Sequence, residues 1–381
     1  MTRFVIVGGG PAGLAVAIEA RLAGAEAVVI ERCGGPVDKA CGEGLMPAGV
    51  ARLARIGVVP PTWGSHPFVG IRYLDATGGR LVTSEARFPS GPGLGIRRTA
   101  LSEALRARAL ELGVDIREKT EALSFRETAG RDGGPPGPGV EVQTSAGPIA
   151  GDWLIGADGL HSQVRKWAGI AAKTGPARRL GIRRHFTVAP WTDHVEVWWS
   201  DRAEAYVTPV GPERVGVAFL WTPGASRQKG DYETFLGLFP DLAAKLGPPE
   251  TSIRGAGPFD VRVETQVKGN VLLTGDAAGY VDALTGEGVA LALEEAQVLV
   301  ALCLAGRAAE WPARWTALTR RHRWFTRGLL AMAARPWLRR QVVRALAWAP
   351  WAMGLAVRVG VGSAGAGRRV AGTGRKEISE S

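Results

Sequence analysis

Three glycine-rich segments carry the residue types and spacings best suited to chemistry. The first is Gly8-x-Gly10-x-x-Gly13, with Glu31 18 residues beyond Gly13. Glycines so spaced allow a tight turn, close approach of a pyrophosphate, and packing of a helix on a strand. A helix that opens at Pro11, Ala12 and Gly13 turns free N–H groups and a positive dipole end toward phosphate. An acid at Glu31, followed by Arg32, is placed to bind a ribose diol. The second segment is Gly156-Ala157-Asp158-Gly159-Leu160-His161-Ser162-x-x-Arg165. The third is Leu273-Thr274-Gly275-Asp276-Ala277-Ala278-Gly279, then Thr285-Gly286-Glu287-Gly288. An aspartate at a strand end, flanked by glycines, can accept hydrogen bonds from a polyol while the backbone comes close. The turn from Gly286 to Gly288 can aim helix N–H groups at ring carbonyls or at a pyrophosphate.

These segments need strands and helices to hold them. Arg3-Phe-Val-Ile-Val7 reads as a buried strand, Leu14 to Leu22 as a helix stopped at Gly24, and Ala27 to Ile30 as a second strand. Together they make a βαβ unit. By itself that unit signals a dinucleotide and does not separate FAD from NAD. Residues 68–88 suggest antiparallel strands, and Leu101 to Leu112 a helix ended by Gly113. Residues 129–139, rich in Gly and Pro, read as an exposed loop. Short strands are expected at 153–156 and 271–273, and a helix from Gly288 to about Leu304. Between them, His194 to Trp199, Ala205 to Val207 and Val215 to Leu220 read as an antiparallel sheet.

Composition narrows the class. The chain has 381 residues, 46% hydrophobic and 22% charged, which fits two joined globular domains. The 53 glycines are roughly twice the usual share. Cys33, Cys41 and Cys303 form no C-x-x-C pair, which argues against a disulfide scaffold or a zinc site. No metal site is expected. The opening Met-Thr-Arg-Phe runs straight into a strand, without a signal-like segment. A reducing, cytoplasmic setting is the expectation. Net charge is +11. No nucleic-acid-binding signature accompanies it, so an anionic cofactor or membrane surface is the better reading.

Taken together, the three motifs, in this order and at these separations, resemble the para-hydroxybenzoate-hydroxylase-type flavoproteins, which include group A flavin monooxygenases and geranylgeranyl reductases. The resemblance covers roughly residues 1–305. It implies an α/β fold: a Rossmann-like FAD-binding domain, an interleaved antiparallel β-sheet substrate domain, and C-terminal helices. The expected FAD-binding parts are 1–60, 95–178 and 266–306. The substrate parts are 61–94 and 179–265. An Arg/Trp-rich helical region at 307–360 and a tail at 361–381 follow. The resemblance also implies that FAD meets the Gly8–Gly13 turn, Asp276 on the ribityl chain, and Asp158 and Gly159, which also serve a passing NAD(P)H. No second strand-turn-helix unit carrying G-x-G-x-x-G is read, so NAD(P)H is expected to bind as a transient electron donor, or electrons to come from a partner. The segment Asp38-Lys39-Ala40-Cys41-Gly42-Glu43-Gly44-Leu45 is similar to the reductase-like branch, which often carries Lys-x-Cys-Gly near the isoalloxazine. Ala283 departs from the proline usual before the Thr-Gly-x-Gly turn.

Single residues admit two readings each. Cys41 could line the flavin and substrate space or be a small buried hydrophobe. Arg97 or Arg98 could reach phosphate or ribose, with Arg98 carried forward as the flavin contact; the alternative is a solvated arginine. His161, His185 and His194 could donate protons or merely pack. Glu287 reads as a helix-start charge. Among Trp198, Trp199, Tyr206, Phe219 and Trp221, an apolar ligand could lie across one sheet face. Neighbours Trp198 and Trp199 must point to opposite sides. From Arg307 to Arg344 arginines recur, interleaved with tryptophans. That pattern suits either peripheral membrane contact through 307–357, at the inner face of the membrane, or a helical cap packed by its tryptophans. The longest apolar run, Ala345 to Val357 with Pro350, is too short to span a bilayer.

Three functions follow from this reading. The first is a monooxygenase that hydroxylates an apolar, aromatic or polyketide-like molecule with NAD(P)H and O2 through a flavin C4a-hydroperoxide, as in secondary metabolism. The second is a flavin reductase of isoprenoid double bonds. The third is a flavin-binding protein without turnover. No Ser-His-Asp set is present to suggest another chemistry.

Overall fold

The computed structural model describes residues 1–75, 81–130, 137, 139–176, 178–223 and 231–348. Most of the Gly/Pro-rich loop, the end of the apolar run with Pro350 and Trp351, and the tail at 361–381 lie outside the described residues.

The Rossmann-like part is a six-stranded sheet in the order Val267–Lys268, Val271–Leu273, Trp153–Gly156, Arg3–Val7, Glu26–Ile30 and Asp115–Arg117. All neighbours run parallel except the first pair. Such strands are covered on both faces, which explains their unbroken apolar runs. Phe4, Val5 and Ile6 are all fully buried. Pro11–Leu22 packs on the sheet and against both Arg98–Glu111 and Gly288–Leu304. The Arg98–Glu111 helix begins three residues before the expected start at Leu101, so Arg98 sits in its first turn. A three-stranded meander, Ala122–Thr128, Gly139–Thr144 and Gly147–Gly151, lies against the Arg3–Val7 and Trp153–Gly156 strands.

The second sheet has seven strands, in the order Arg254–Ala256, Leu180–Thr187, Arg214–Trp221, Glu204–Gly211, His194–Trp199, Gly70–Asp75 and Val82–Arg87. The antiparallel expectation holds along it except that His194–Trp199 pairs in parallel with Gly70–Asp75. That pairing joins a hairpin from early in the chain to strands more than a hundred residues later. Two short helices, Tyr232–Leu236 and Pro240–Ala243, interrupt what the sequence suggested was all strand. They cover one face of the sheet, where Trp198, Phe219 and Trp221 pack with Tyr232, Phe235 and Phe239. A further small sheet of Gly44–Leu45, Gly93–Ile96 and Ser65–Phe68 links the two halves.

Two C-terminal helices follow, Trp311–Ala333 and Pro336–Trp348. The first is anchored on the Rossmann-like part by buried Trp311, whose Nε1 donates to the Leu273 carbonyl at 2.8 Å, and by Trp315. The second crosses the Gly70–Asp75 and Val82–Arg87 strands. Arg339, 3% exposed, is held there by Asp75 at 3.4 Å, Asp201 at 3.2 Å and the Ser200 carbonyl at 2.9 Å. Among the described residues no helix is long and apolar enough to cross a membrane.

Candidate active site

The first glycine motif forms the turn its spacing implies. Gly8 has φ +112°, and a Cβ there would lie 2.4 Å from the Ala157 carbonyl oxygen. A Cβ on Gly13 would lie 1.9 Å from the Gly8 oxygen, so helix and strand touch only because both residues are bare. The helix opens at Pro11 with Gly10 as its cap. No side chain caps it, and no acid stands in its first turn. The N–H groups of Ala12 and Gly13, at the helix start, therefore lack intrahelical acceptors. The side chain of Arg98 reaches this turn: its Nη2 is 3.5 Å from where a Gly10 Cβ would stand. Its Nε is buried without a partner. Arg97 turns away, toward Glu250 at 3.8 Å. Glu31 ends its strand as expected, but its carboxylate also shapes the loop, accepting from Gly9 N at 2.7 Å and Cys33 N at 2.9 Å. Arg32 beside it is exposed.

Gly275 and Asp276 come up beside this helix start, a Cβ on Gly275 being 2.8 Å from Ala12 Cβ. Their backbone is fixed from behind by Glu295 of the Gly288–Leu304 helix. Its Oε2 accepts from Gly275 N at 2.7 Å and from Thr274 Oγ1 at 2.9 Å. Burial pushes the Glu295 carboxyl up to about 7. The Asp276 carboxylate faces Lys39, with Nζ at 2.7 Å. Lys39 Nζ also lies 3.5 Å from where a Cβ on Gly159 would stand, so this one ammonium bridges the second and third motifs. Sequence reasoning assigns Lys39 no role of its own, because nothing local in the Asp38–Leu45 segment points to Asp276. Asp158 is used structurally. Its Oδ2 accepts from Gln163 N at 2.6 Å and Val164 N at 3.1 Å, at the start of the Gln163–Trp167 helix. Its Oδ1 is buried without a partner.

The Gly286 turn is left-handed, φ +67°, and opens the Gly288–Leu304 helix, again with no side-chain cap and no acid in the first turn. Glu287 is more than a helix-start charge, because His322 of the C-terminal helix holds its Oε2 at 3.0 Å. The histidine also meets Thr285 Oγ1 at 3.3 Å. The turn next to the cofactor motif is thus tied to the C-terminal region.

The Asp38–Leu45 segment packs against this turn, a Cβ on Gly286 being 3.2 Å from the Gly44 carbonyl oxygen. Glu43 is the residue that locks it. Its backbone is left-handed, φ +59°, which is unusual for a side chain other than glycine. Its buried carboxylate accepts from Arg98 N at 2.8 Å and meets His185 Nε2 at 2.6 Å and Arg183 Nη2 at 3.6 Å. Arg183 also binds Asp38 Oδ1 at 2.5 Å. Thr208 Oγ1 donates to the Gly42 carbonyl at 2.7 Å. Cys41 is half-buried, its Sγ 3.4 Å from Glu43 N. His185 therefore serves this network. His161 is exposed, and His194 pairs with Asp193 at 2.6 Å.

Next to the Gly42–Gly44 and Gly286 backbones lies a cavity of about 250 Å³. One wall is the sheet, through Ile71, Tyr73, Val195, Val197, Trp199 and Tyr206. Opposite stand Phe325, Leu329 and Met332 of the first C-terminal helix and Val343 and Leu346 of the second. Strand alternation separates the tryptophans: Trp199 lines the cavity, while Trp198 packs on the other face. Burial pushes the Tyr73 phenol up to about 12, so it stays neutral.

These features suit FAD. Two uncapped helix starts offer N–H groups to a pyrophosphate and to flavin carbonyls. The Arg98 guanidinium, with its unpartnered Nε, stands at the first of them. Asp276, paired with Lys39, follows Gly275 beside the first of them, and Glu31 stands at the end of the second strand. Among the described residues there is no cluster able to hold a metal ion.

The chain is similar to known proteins. A family model described as "FAD binding domain" matches residues 1–312. The chain is 27% identical over 335 residues to a menaquinone reductase of Mycolicibacterium smegmatis, covering 84% of this chain and 80% of that protein. It is 26% identical to digeranylgeranylglycerophospholipid reductase 2 of Methanosphaera stadtmanae, covering 77% and 75%. In fold it is similar to the Diels-Alderase PyrE3 of pyrroindomycin biosynthesis, with TM-score 0.74, 23% identity and coverage of 94% and 80%. With three cofactor motifs converging on one cleft and the family matched across them, the chain belongs to the FAD-binding-domain family and is an FAD-dependent oxidoreductase.

Proposed function

We propose that the protein is a reductase of carbon–carbon double bonds in a long, apolar, isoprenoid-type molecule, with NAD(P)H as transient electron donor. The observation that carries this reading is the apolar cavity bordered by the Gly286 turn and the Gly42–Gly44 backbone. Its charged lining residue, Glu287, is engaged by His322, and its wall is mainly aliphatic and aromatic, with Tyr206 Oη and Trp199 Nε1 left without partners, so its selectivity rests chiefly on shape and apolar contact. The relatives named as menaquinone and digeranylgeranylglycerophospholipid reductases support it, since they match the chain over three quarters or more of its length. Bound FAD, once reduced, supplies a hydride. The chain's own work is positional. The Gly8–Gly13 helix start and Arg98 hold the pyrophosphate. Asp276, with Lys39 close by, holds the polyol. The Glu43–Arg183–His185 network fixes the Cys41–Gly44 backbone, and the C-terminal helices keep water out.

Hydroxylation, the first of the three functions read from the sequence, ranks second here, because nothing in the cavity wall is specific to it. The deciding experiment is anaerobic. NAD(P)H bleaches the flavin, and a polyprenyl quinone or geranylgeranyl lipid in detergent restores its colour, with a product two hydrogens heavier. Substrate-dependent O2 uptake, without anaerobic reoxidation, would replace the reductase reading by the monooxygenase one. A flavin that no donor bleaches would leave a binding protein without turnover.

A further inference from the structure

We propose that the C-terminal helix pair docks the protein on an anionic lipid surface through its outer face. The pair, Trp311–Ala333 and Pro336–Trp348, has two unlike sides. Its inner side carries Phe325, Leu329, Met332 and Val343 and roofs the cavity. Away from that side it carries exposed Arg320, Arg335 and Arg344, while Arg314 pairs with Glu310 at 3.9 Å and Arg327 lines a pocket beside Asp276. Among them stand Trp324, 71% exposed, and Trp337, 66% exposed, the two most exposed tryptophans of the described residues. From residue 311 to 348 the sequence has no Asp or Glu at all.

An exposed indole is costly in water unless something covers it, and a row of like charges is costly unless something neutralises it. An anionic bilayer does both. Indole settles at the headgroup level, and arginine side chains bury their stems while pairing with lipid phosphates. Indole beside arginine along one helix pair, with no acidic residue from 311 to 348, is the composition of a helix that lies on an anionic bilayer, and no nucleic-acid-binding motif accompanies it. The buried arginine of the pair, Arg339, shows the contrast: it is consumed by Asp75 and Asp201 and holds the hairpin to the sheet. Docking does not depend on the reaction. Delivery of an apolar substrate from the bilayer into the cavity under the same hairpin rests on the function proposed above.

The test uses the full-length, FAD-loaded protein and sedimentation with phosphatidylcholine vesicles, with and without phosphatidylglycerol. Binding is expected only with the anionic lipid, with the tryptophan emission quenched by brominated acyl chains. Arg320→Glu with Arg344→Glu should weaken partitioning by roughly thirtyfold or more. Trp324→Ser with Trp337→Ser should weaken it by roughly tenfold or more while salt sensitivity persists. All four residues lie outside the cavity and cofactor cleft, so flavin content, melting temperature and anaerobic turnover of a detergent-dispersed probe serve as controls and should not change. Failure of turnover with intact vesicle binding would sink the reductase reading alone. Absence of binding to anionic vesicles would overturn the docking proposal. So would equal binding to neutral ones, or binding that the arginine pair controls and the tryptophans do not touch.

Discussion

Replacing Glu43 by alanine should be the most damaging single change near the cofactor that leaves the cofactor contacts themselves in place. The carboxylate is 1% exposed and faces His185 and Arg183, both almost fully buried. Removing one member of such a cluster leaves the others without compensation, and the usual cost is about 3–5 kcal/mol. Arg183 keeps Asp38, which puts the expectation at the lower end of that range. The same carboxylate caps Arg98 N, so its loss frees both Arg98 and the Cys41–Gly44 backbone. Affinity for FAD should then fall about tenfold or more, equivalent to about 1.4 kcal/mol. Two companion variants separate charge from backbone. Glu43→Gln keeps hydrogen-bonding capacity and should lose clearly less stability than Glu43→Ala. Glu43→Gly suits the left-handed φ and should recover about 1 kcal/mol relative to alanine. Urea unfolding of the holoprotein and flavin titration of the apoprotein measure both quantities. An alanine variant within about 1 kcal/mol of the parent, with unchanged flavin affinity, would refute the reasoning.

Three further outcomes are expected. Glu295 has its carboxyl raised from the ordinary value to about 7, so the folded state binds its proton more tightly than the unfolded chain. The stability it brings is fully present below about pH 4.5 and is lost as pH rises through 7. The loss is about 3 kcal/mol by linkage. Glu295→Gln, which mimics the protonated form toward Gly275 and Thr274, should flatten the fall in melting temperature between pH 5 and 8; an unchanged slope would count against it. Arg339→Leu should loosen the Pro336–Trp348 helix from the sheet, visible as faster proteolysis in that helix at unchanged flavin content. Leu329→Trp should fill the cavity and abolish reoxidation by long polyprenyl probes, while NAD(P)H bleaching stays normal. Normal turnover in that variant would place the substrate elsewhere.

The cofactor cleft was legible because its chemistry is local. Gly8, Gly10 and Gly13 sit on one turn, and bare backbone at those spacings has few other uses. Arg98 was legible only as one of two candidates. The structure separates it from Arg97 because the helix starts earlier than its apolar pattern suggested, which turns Arg98 to Gly10 and Arg97 to Glu250. Asp158 looked identical in type to Asp276. Yet the Asp158 carboxylate receives two backbone N–H groups, while Asp276 faces Lys39 across the cleft. No spacing distinguishes the two, since the distinction lies in what folds back onto each.

What the chain alone determined, then, was the βαβ unit, the three glycine-rich motifs with their acidic residues, and the opposite facing of Trp198 and Trp199. Each follows from interactions among residues close in sequence or from the period of a strand. The tertiary structure alone decided which tryptophan meets a cavity, and that the Gly70–Asp75 hairpin completes the sheet beside it. It also decided that Glu43 joins His185 across 142 residues, and that His322 ties the C-terminal helix to the Gly286 turn. Those are long-range pairings of buried polar groups and packed faces. Local sequence specifies the partners' capacity to pair, but only the folded chain chooses the partner.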